Sequence, residues 1–115
     1  MDIKKFSSND QNRIFSDTLN AVEEYFDDEF TLGGAVVLYK ISGEDWEGNI
    51  TVEVSDDGES CWANVIFEYD GPYIVPDDLC KRLLEYFRKK YGRTIWVGSN
   101  LSFEFLIIDN RKWEE

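Results

Sequence analysis

The chain has 115 residues, of which 43% are hydrophobic and 16% aromatic, so it is long enough for one domain with a real core and too apolar for disorder, even at a net charge of −12. Charge is uneven: residues 1–19 carry three acids and three bases, residues 20–78 carry sixteen acids and only Lys40 (net −15), and residues 79–115 carry five acids and eight bases (net +3). A negative surface repels nucleic acid and anionic membrane and attracts basic proteins, so direct nucleic-acid or membrane binding is not expected.

Residues 8–30 read as an amphipathic helix. Ser8-Asn9-Asp10-Gln11 fits a capping box, and Phe15, Leu19, Val22 and Phe26 recur at helical spacing with Ile14 and Tyr25 beside them. Gly33-Gly34 ends the segment. Residues 35–42 are β-branched and aromatic, a strand. After the loop Gly43-Glu44-Asp45-Trp46-Glu47-Gly48, residues 49–55 alternate with Ile50, Val52 and Val54 on one face. Asp57-Gly58 is a hairpin signal, and residues 60–69 alternate again. A two-residue turn there sets Asp56 against Glu59, Val54 against Cys61, Val52 against Ala63 and Ile50 against Val65. On the polar face it sets Trp62 beside Glu53.

Pro76-Asp77-Asp78 opens a second helix with acids at its positive end, and Lys89, Lys90 and Gly92 close it. Leu79, Cys80, Leu83, Leu84, Phe87 and Tyr91 form its apolar face. Residues 94–97 and 101–109 read as a hairpin around Gly98-Ser99-Asn100. Leu101, Phe103, Phe105 and Ile107 share one face, and Leu106 and Ile108 on the other suggest a strand that is central or covered on both sides. Trp96 is expected to be buried. The order α-β-β-β-α-β-β predicts a single α+β domain over residues 1–115: a five-stranded antiparallel sheet with two helices.

Chemistry has few footholds. The chain contains no histidine, which removes Ser-His-Asp and Cys-His nucleophile systems and most zinc sites. No glycine pattern cradles phosphate. Cys61 and Cys80 stand nineteen positions apart, neither a zinc pattern nor a redox pair, and are expected to be reduced core thiols. Asp56-Asp57-Gly58-Glu59 lacks the ligand spacing of a calcium loop. No metal or other cofactor is expected. Paired carboxylates would suffice for a small glycosidase-like or aspartic enzyme, but among 24 acids none is singled out. An enzyme is therefore not the expectation. The N-terminus lacks an apolar leader core and no apolar run nears the ~18 residues of a membrane span, so a cytoplasmic protein is expected.

The acidic block is the feature left to explain. Glu23, Glu24, Asp27, Asp28 and Glu29 crowd the last turns of the first helix, where an exposed carboxylate costs about 0.3–1 kcal/mol against the helix dipole. The second helix obeys that rule, so compositional bias alone does not account for the first, and rules broken without structural gain tend to mark functional sites. Aromatics interleave with the charge. Trp46 lies within Glu44, Asp45 and Glu47; Trp62 lies near Glu53, Asp56, Asp57 and Glu59; Tyr73 follows Asp70. Carboxylates around exposed tryptophans are what a binder of a basic protein surface presents.

The segment from Glu23 to Glu29, the Trp46 loop and Asp56-Asp57-Gly58-Glu59 give the chain the general character of a known group. It resembles the small acidic immunity proteins of contact-dependent and polymorphic toxin systems. The resemblance implies a cognate toxin as partner, nuclease-type by its basic active site, held in a tight one-to-one complex. The alternative reading is a DNA mimic that occupies a nucleic-acid-binding protein, as anti-restriction proteins do.

Overall fold

The structure, a computed structural model, describes residues 4–24, 35–56, 61–71, 73–99 and 102–109. Its elements are β1 (Lys4–Lys5), α1 (Ser8–Val22), β2 (Ala35–Ser42), β3 (Glu47–Asp56), β4 (Cys61–Asp70), β5 (Tyr73–Ile74), α2 (Asp77–Lys90), β6 (Gly92–Ser99) and β7 (Ser102–Asp109). The five long strands form one antiparallel sheet in the order β2-β3-β4-β7-β6. This is the α+β arrangement expected from the pattern. The very short β1 and β5, which pair in parallel, carry no sequence signal of their own.

Helix α1 begins one residue earlier than the capping-box reading. Ser7 is the cap, accepting the Asp10 backbone N–H at 3.1 Å, and the Gln11 side chain donates to the Phe6 carbonyl at 2.8 Å. Its buried stripe is Ile14, Thr18, Ala21 and Val22, and Phe15 and Leu19 flank it half-buried. The stripe is therefore turned from the one read off the large apolar residues. Thr18 can sit inside because its hydroxyl donates to the Ile14 carbonyl at 2.6 Å. Phe26 and Tyr25 lie outside the described residues. Helix α2 runs as expected, with Asp77 and Asp78 in its first turn and Arg88, Lys89 and Lys90 in its last, though Pro76 is the cap itself. Tyr91 closes it, and Gly92 follows with a φ of 119°.

Both helices lie on one face of the sheet. Ile50, Val52, Val54, Ala63, Val65, Phe67, Phe103, Phe105 and Ile107 point into that side and are buried. They meet Leu79, Cys80, Leu83, Phe87 and Tyr91 from α2 and Ile14, Ala21 and Val22 from α1. Each fully buried Phe, Leu or Ile contributes about 1.5–3 kcal/mol, which is what holds the layers together. Cys61 and Cys80 are buried, and burial pushes the Cys80 thiol up to about 12.

The β3–β4 register corrects the hairpin reading. Asp56 pairs with Cys61, so Val54 faces Ala63, Val52 faces Val65 and Ile50 faces Phe67. Four residues therefore separate the paired ends where a two-residue turn was expected. The shift is two positions, an even number, so each side chain keeps its face. Trp62 stays on the outer face but stands opposite Ser55, and Glu53 stands opposite Asn64.

Candidate functional site

The helices leave the other face of the sheet uncovered among the described residues. Alternation puts residues 36, 38 and 40 of β2 there, with 47–55 (odd) of β3, 62–70 (even) of β4, 102–108 (even) of β7 and 93–97 (odd) of β6. The register aligns them in rows. One reads Ser55, Trp62, Ile108, Arg93; the next Val36, Glu53, Asn64, Leu106, Ile95; the third Leu38, Thr51, Ile66, Glu104, Val97; the fourth Lys40, Asn49, Glu68, Ser102. Trp62, Ile66, Leu106 and Ile108 form a half-buried apolar centre. Val36, Leu38, Ile95 and Val97 extend it to both sheet edges, at 67%, 56%, 38% and 59% exposure. β7 is central in the sheet, but Leu106 and Ile108 have no second layer over them among the described residues.

Carboxylates interrupt this apolar surface. Glu53 and Glu104 stand inside the rows, and Asn64 donates to Glu104 Oε1 at 2.9 Å. Glu47 and Asp70 face each other directly across β3 and β4, both exposed, and Glu68 is next along. Like charges opposed in this way destabilise a sheet. The pair lines a depression of about 540 Å³ with Lys40, Ser42, Asn49 and Glu68. On the described face five carboxylates (Glu47, Glu53, Glu68, Asp70, Glu104) stand against two cations, Lys40 and Arg93.

Several residues expected at the interface have other roles. Trp46 is buried, 4% exposed, which corrects its reading as an exposed anchor. Its indole Nε1 donates to Asp10 Oδ2 at 3.0 Å, and its ring meets Phe6 edge-on at 5.1 Å between centroids. Glycines make the room: a Cβ on Gly43 would fall 2.0 Å from Trp46 Nε1, and one on Gly71 would fall 2.8 Å from Trp46 Cβ. Tyr73 stacks on Phe6 at 4.8 Å and donates to Asp45 Oδ1 at 2.5 Å. That hydrogen bond, with burial and the nearby negative charge, pushes the Tyr73 phenol up to about 12. Asp45 and Tyr73 thus clamp the loop that holds Trp46, while Glu44 is exposed beside them.

The helix-end argument also changes. Glu23 accepts the Tyr86 hydroxyl at 2.7 Å and pairs with Lys90 Nζ at 2.9 Å. The hydrogen bond to Glu23 raises the Tyr86 pKa. Glu24 accepts the Tyr39 hydroxyl. The acidic end of α1 is therefore answered by the basic end of α2, so Glu23 and Glu24 do have a structural gain. Asp27, Asp28, Glu29, Asp57 and Glu59 lie outside the described residues, and of Asp56 only the backbone pairing is described.

Of the residues anticipated, the outer face gathers Glu47, Glu53, Trp62 and Asp70. Sequence reasoning passed over Glu68, Glu104, Ile66, Leu106 and the edge residues. Their signal was the strand alternation itself, once both faces of each strand are followed. Among the described residues no three His, Cys, Asp or Glu side chains group to hold a metal, and no helix is long and apolar enough to cross a membrane. No family model, curated protein or solved structure matches the chain.

Proposed function

We propose that this protein binds and blocks a basic protein partner through the outer face of its sheet, acting as an immunity protein against a nuclease-type toxin in the cytoplasm of the cell that makes it. The observation that carries the reading is the apolar centre of Trp62, Ile66, Leu106 and Ile108 set among Glu47, Glu53, Glu68, Asp70 and Glu104. Aromatic and aliphatic side chains supply the desolvated contact, and the carboxylates supply attraction and orientation. Nuclease sites are basic because they hold phosphate, so such a face complements them. Apolar rows between the carboxylates favour a protein partner over mimicry of a DNA duplex, whose surface charge is a regular phosphate array.

The opposed Glu47–Asp70 pair fits the same reading. Its repulsion is relieved when a partner cation enters the depression beside it. Association with the partner slows as salt is added, because steering is screened beyond about 8–10 Å. The test is co-expression with the product of the reading frame beside the gene. Protection from its toxicity is the expected result, and the doubly substituted Glu53→Lys, Glu104→Lys protein should fold yet fail to protect. A neighbour with no toxicity that this protein relieves sinks the proposal.

A further inference from the structure

The two edges of the sheet are built differently. At β6 the guanidinium of Arg88, on α2, donates from both Nε and Nη2 to the Thr94 carbonyl at 3.3 Å, and α2 packs along the strand. At Thr94 that edge is occupied by the chain's own side chain. At β2 eight consecutive residues pair with β3 without a bulge, and no described strand lies on the other side. Proteins blunt such edges with prolines, bulges or lysines. The strand has one such device, Lys40, in its second half. Its first half, residues 35–39, has none, and it carries Val36 and Leu38 at 67% and 56% exposure.

Resting on the binding reading above, we propose that this half of β2 receives an extended basic segment of the partner as a sixth strand of the sheet. Strand addition satisfies the edge amides and carbonyls, and alternate side chains of the added strand then read the two faces. On the outer face its side chains would lie in the rows of Val36 and Leu38: the Leu38 row takes an apolar side chain, and the Val36 row takes a Lys or Arg whose stem lies along Val36. Glu53 stands one strand further in, opposite Val36, and Glu47 stands opposite Ser42. Two strand spacings are about 10 Å, a span that a Lys or Arg on the added strand and a Glu on β3 bridge between them. The occupant is therefore a strand whose outer-face side chains, every second residue, are basic and apolar in turn. A second copy of this chain is disfavoured, because it would set a net charge of −12 against another −12.

Amide hydrogen exchange on the purified protein tests this, with a nine-residue peptide as probe that carries Lys and Val in turn at every second position and Thr between them. At a peptide concentration about ten times its Kd, those amides of residues 35–39 that point away from β3 should exchange about tenfold more slowly while those of β6 do not change. The same peptide with Glu in place of Lys, and the Lys and Val peptide with alternate backbone nitrogens methylated, should leave β2 exchange unchanged. Leu38→Lys, at an exposed position, should weaken the peptide about tenfold with the melting temperature preserved. Three results overturn the inference. Perturbation at Trp62, Ile66 and Leu106 without slowing in β2 means that the partner lies flat on the face, which leaves the binding reading standing. Protection of β2 that rises with protein concentration alone means that a second copy is the occupant. No change with any peptide removes strand addition, and the co-expression experiment then decides the binding reading separately.

Discussion

Trp46 and Trp62 are sixteen positions apart in one acidic block, and the fold gives them opposite surroundings. Trp46 has carboxylates on both sides in sequence, yet Phe6, Gly43 and Gly71 enclose it and Asp10 takes its N–H. Trp62 lies in an ordinary alternating strand, yet it stays half-buried on the outer face beside Ile108. Neighbouring charge therefore says little about whether an aromatic is exposed. What decides is whether the chain leaves space beneath it and a partner for its polar atom.

The comparison breaks most sharply under alanine substitution. Trp46→Ala empties a site walled by Phe6, Phe67 and the loop, and should cost about 3–5 kcal/mol of stability. Trp62→Ala, at a half-buried site, should cost less, about 1–2 kcal/mol, and should instead weaken partner binding. Chemical denaturation of the two variants measures the difference. Similar losses would mean that Trp62 is a core residue and that the outer face is covered.

Next in size is Gly43→Ala. The added Cβ would lie 2.0 Å from Trp46 Nε1, so the indole must move and its hydrogen bond to Asp10 must stretch. Overpacking of this kind costs about 1–3 kcal/mol. Asp10→Ala attacks the same ring from the other side, leaving a buried indole N–H without its acceptor, again at about 1–3 kcal/mol. Because both act through Trp46, their effects should fall short of additive in the double variant. Full additivity in a thermodynamic cycle would show that they act independently.

These residues also show where the sequence was legible. The strands were readable because alternation has a period of two and survives errors in the turn: the β3–β4 pairing was misplaced by two positions, yet every face came out right. The helices were readable from their periodicity and caps. Phe6 was not, because a lone aromatic before a helix has no period. It lies at the centre of a cluster with Trp46, Phe67, Tyr69 and Tyr73. The Glu23–Lys90 pair joins residues 67 positions apart, so no local rule reveals that the acidic end of α1 has a partner. The site was half legible for a related reason. Charge and tryptophan draw attention to loops, while the apolar half of the outer face lies in strand positions, where Leu106 and Ile108 signal equally a central strand or one covered on both sides.

The smallest expected effect concerns the clamp on the Trp46 loop. The Tyr73 phenol, ordinarily at 10, is raised to about 12 because its proton is held by Asp45. With a raised folded-state pKa, the stabilisation is fully present below pH about 10. Between there and pH about 12 the unfolded chain gives up this proton first, so stability falls as pH rises. Tyr73→Phe removes the titrating group and keeps the ring stacked on Phe6. Melting curves across that window should fall less steeply with pH for the variant than for the parent. Trp62→Ala, remote from the clamp, should keep the parent's slope. Equal slopes for Tyr73→Phe and the parent would mean that the Asp45–Tyr73 contact does not hold the loop, and that Phe6 and the glycines alone keep Trp46 inside.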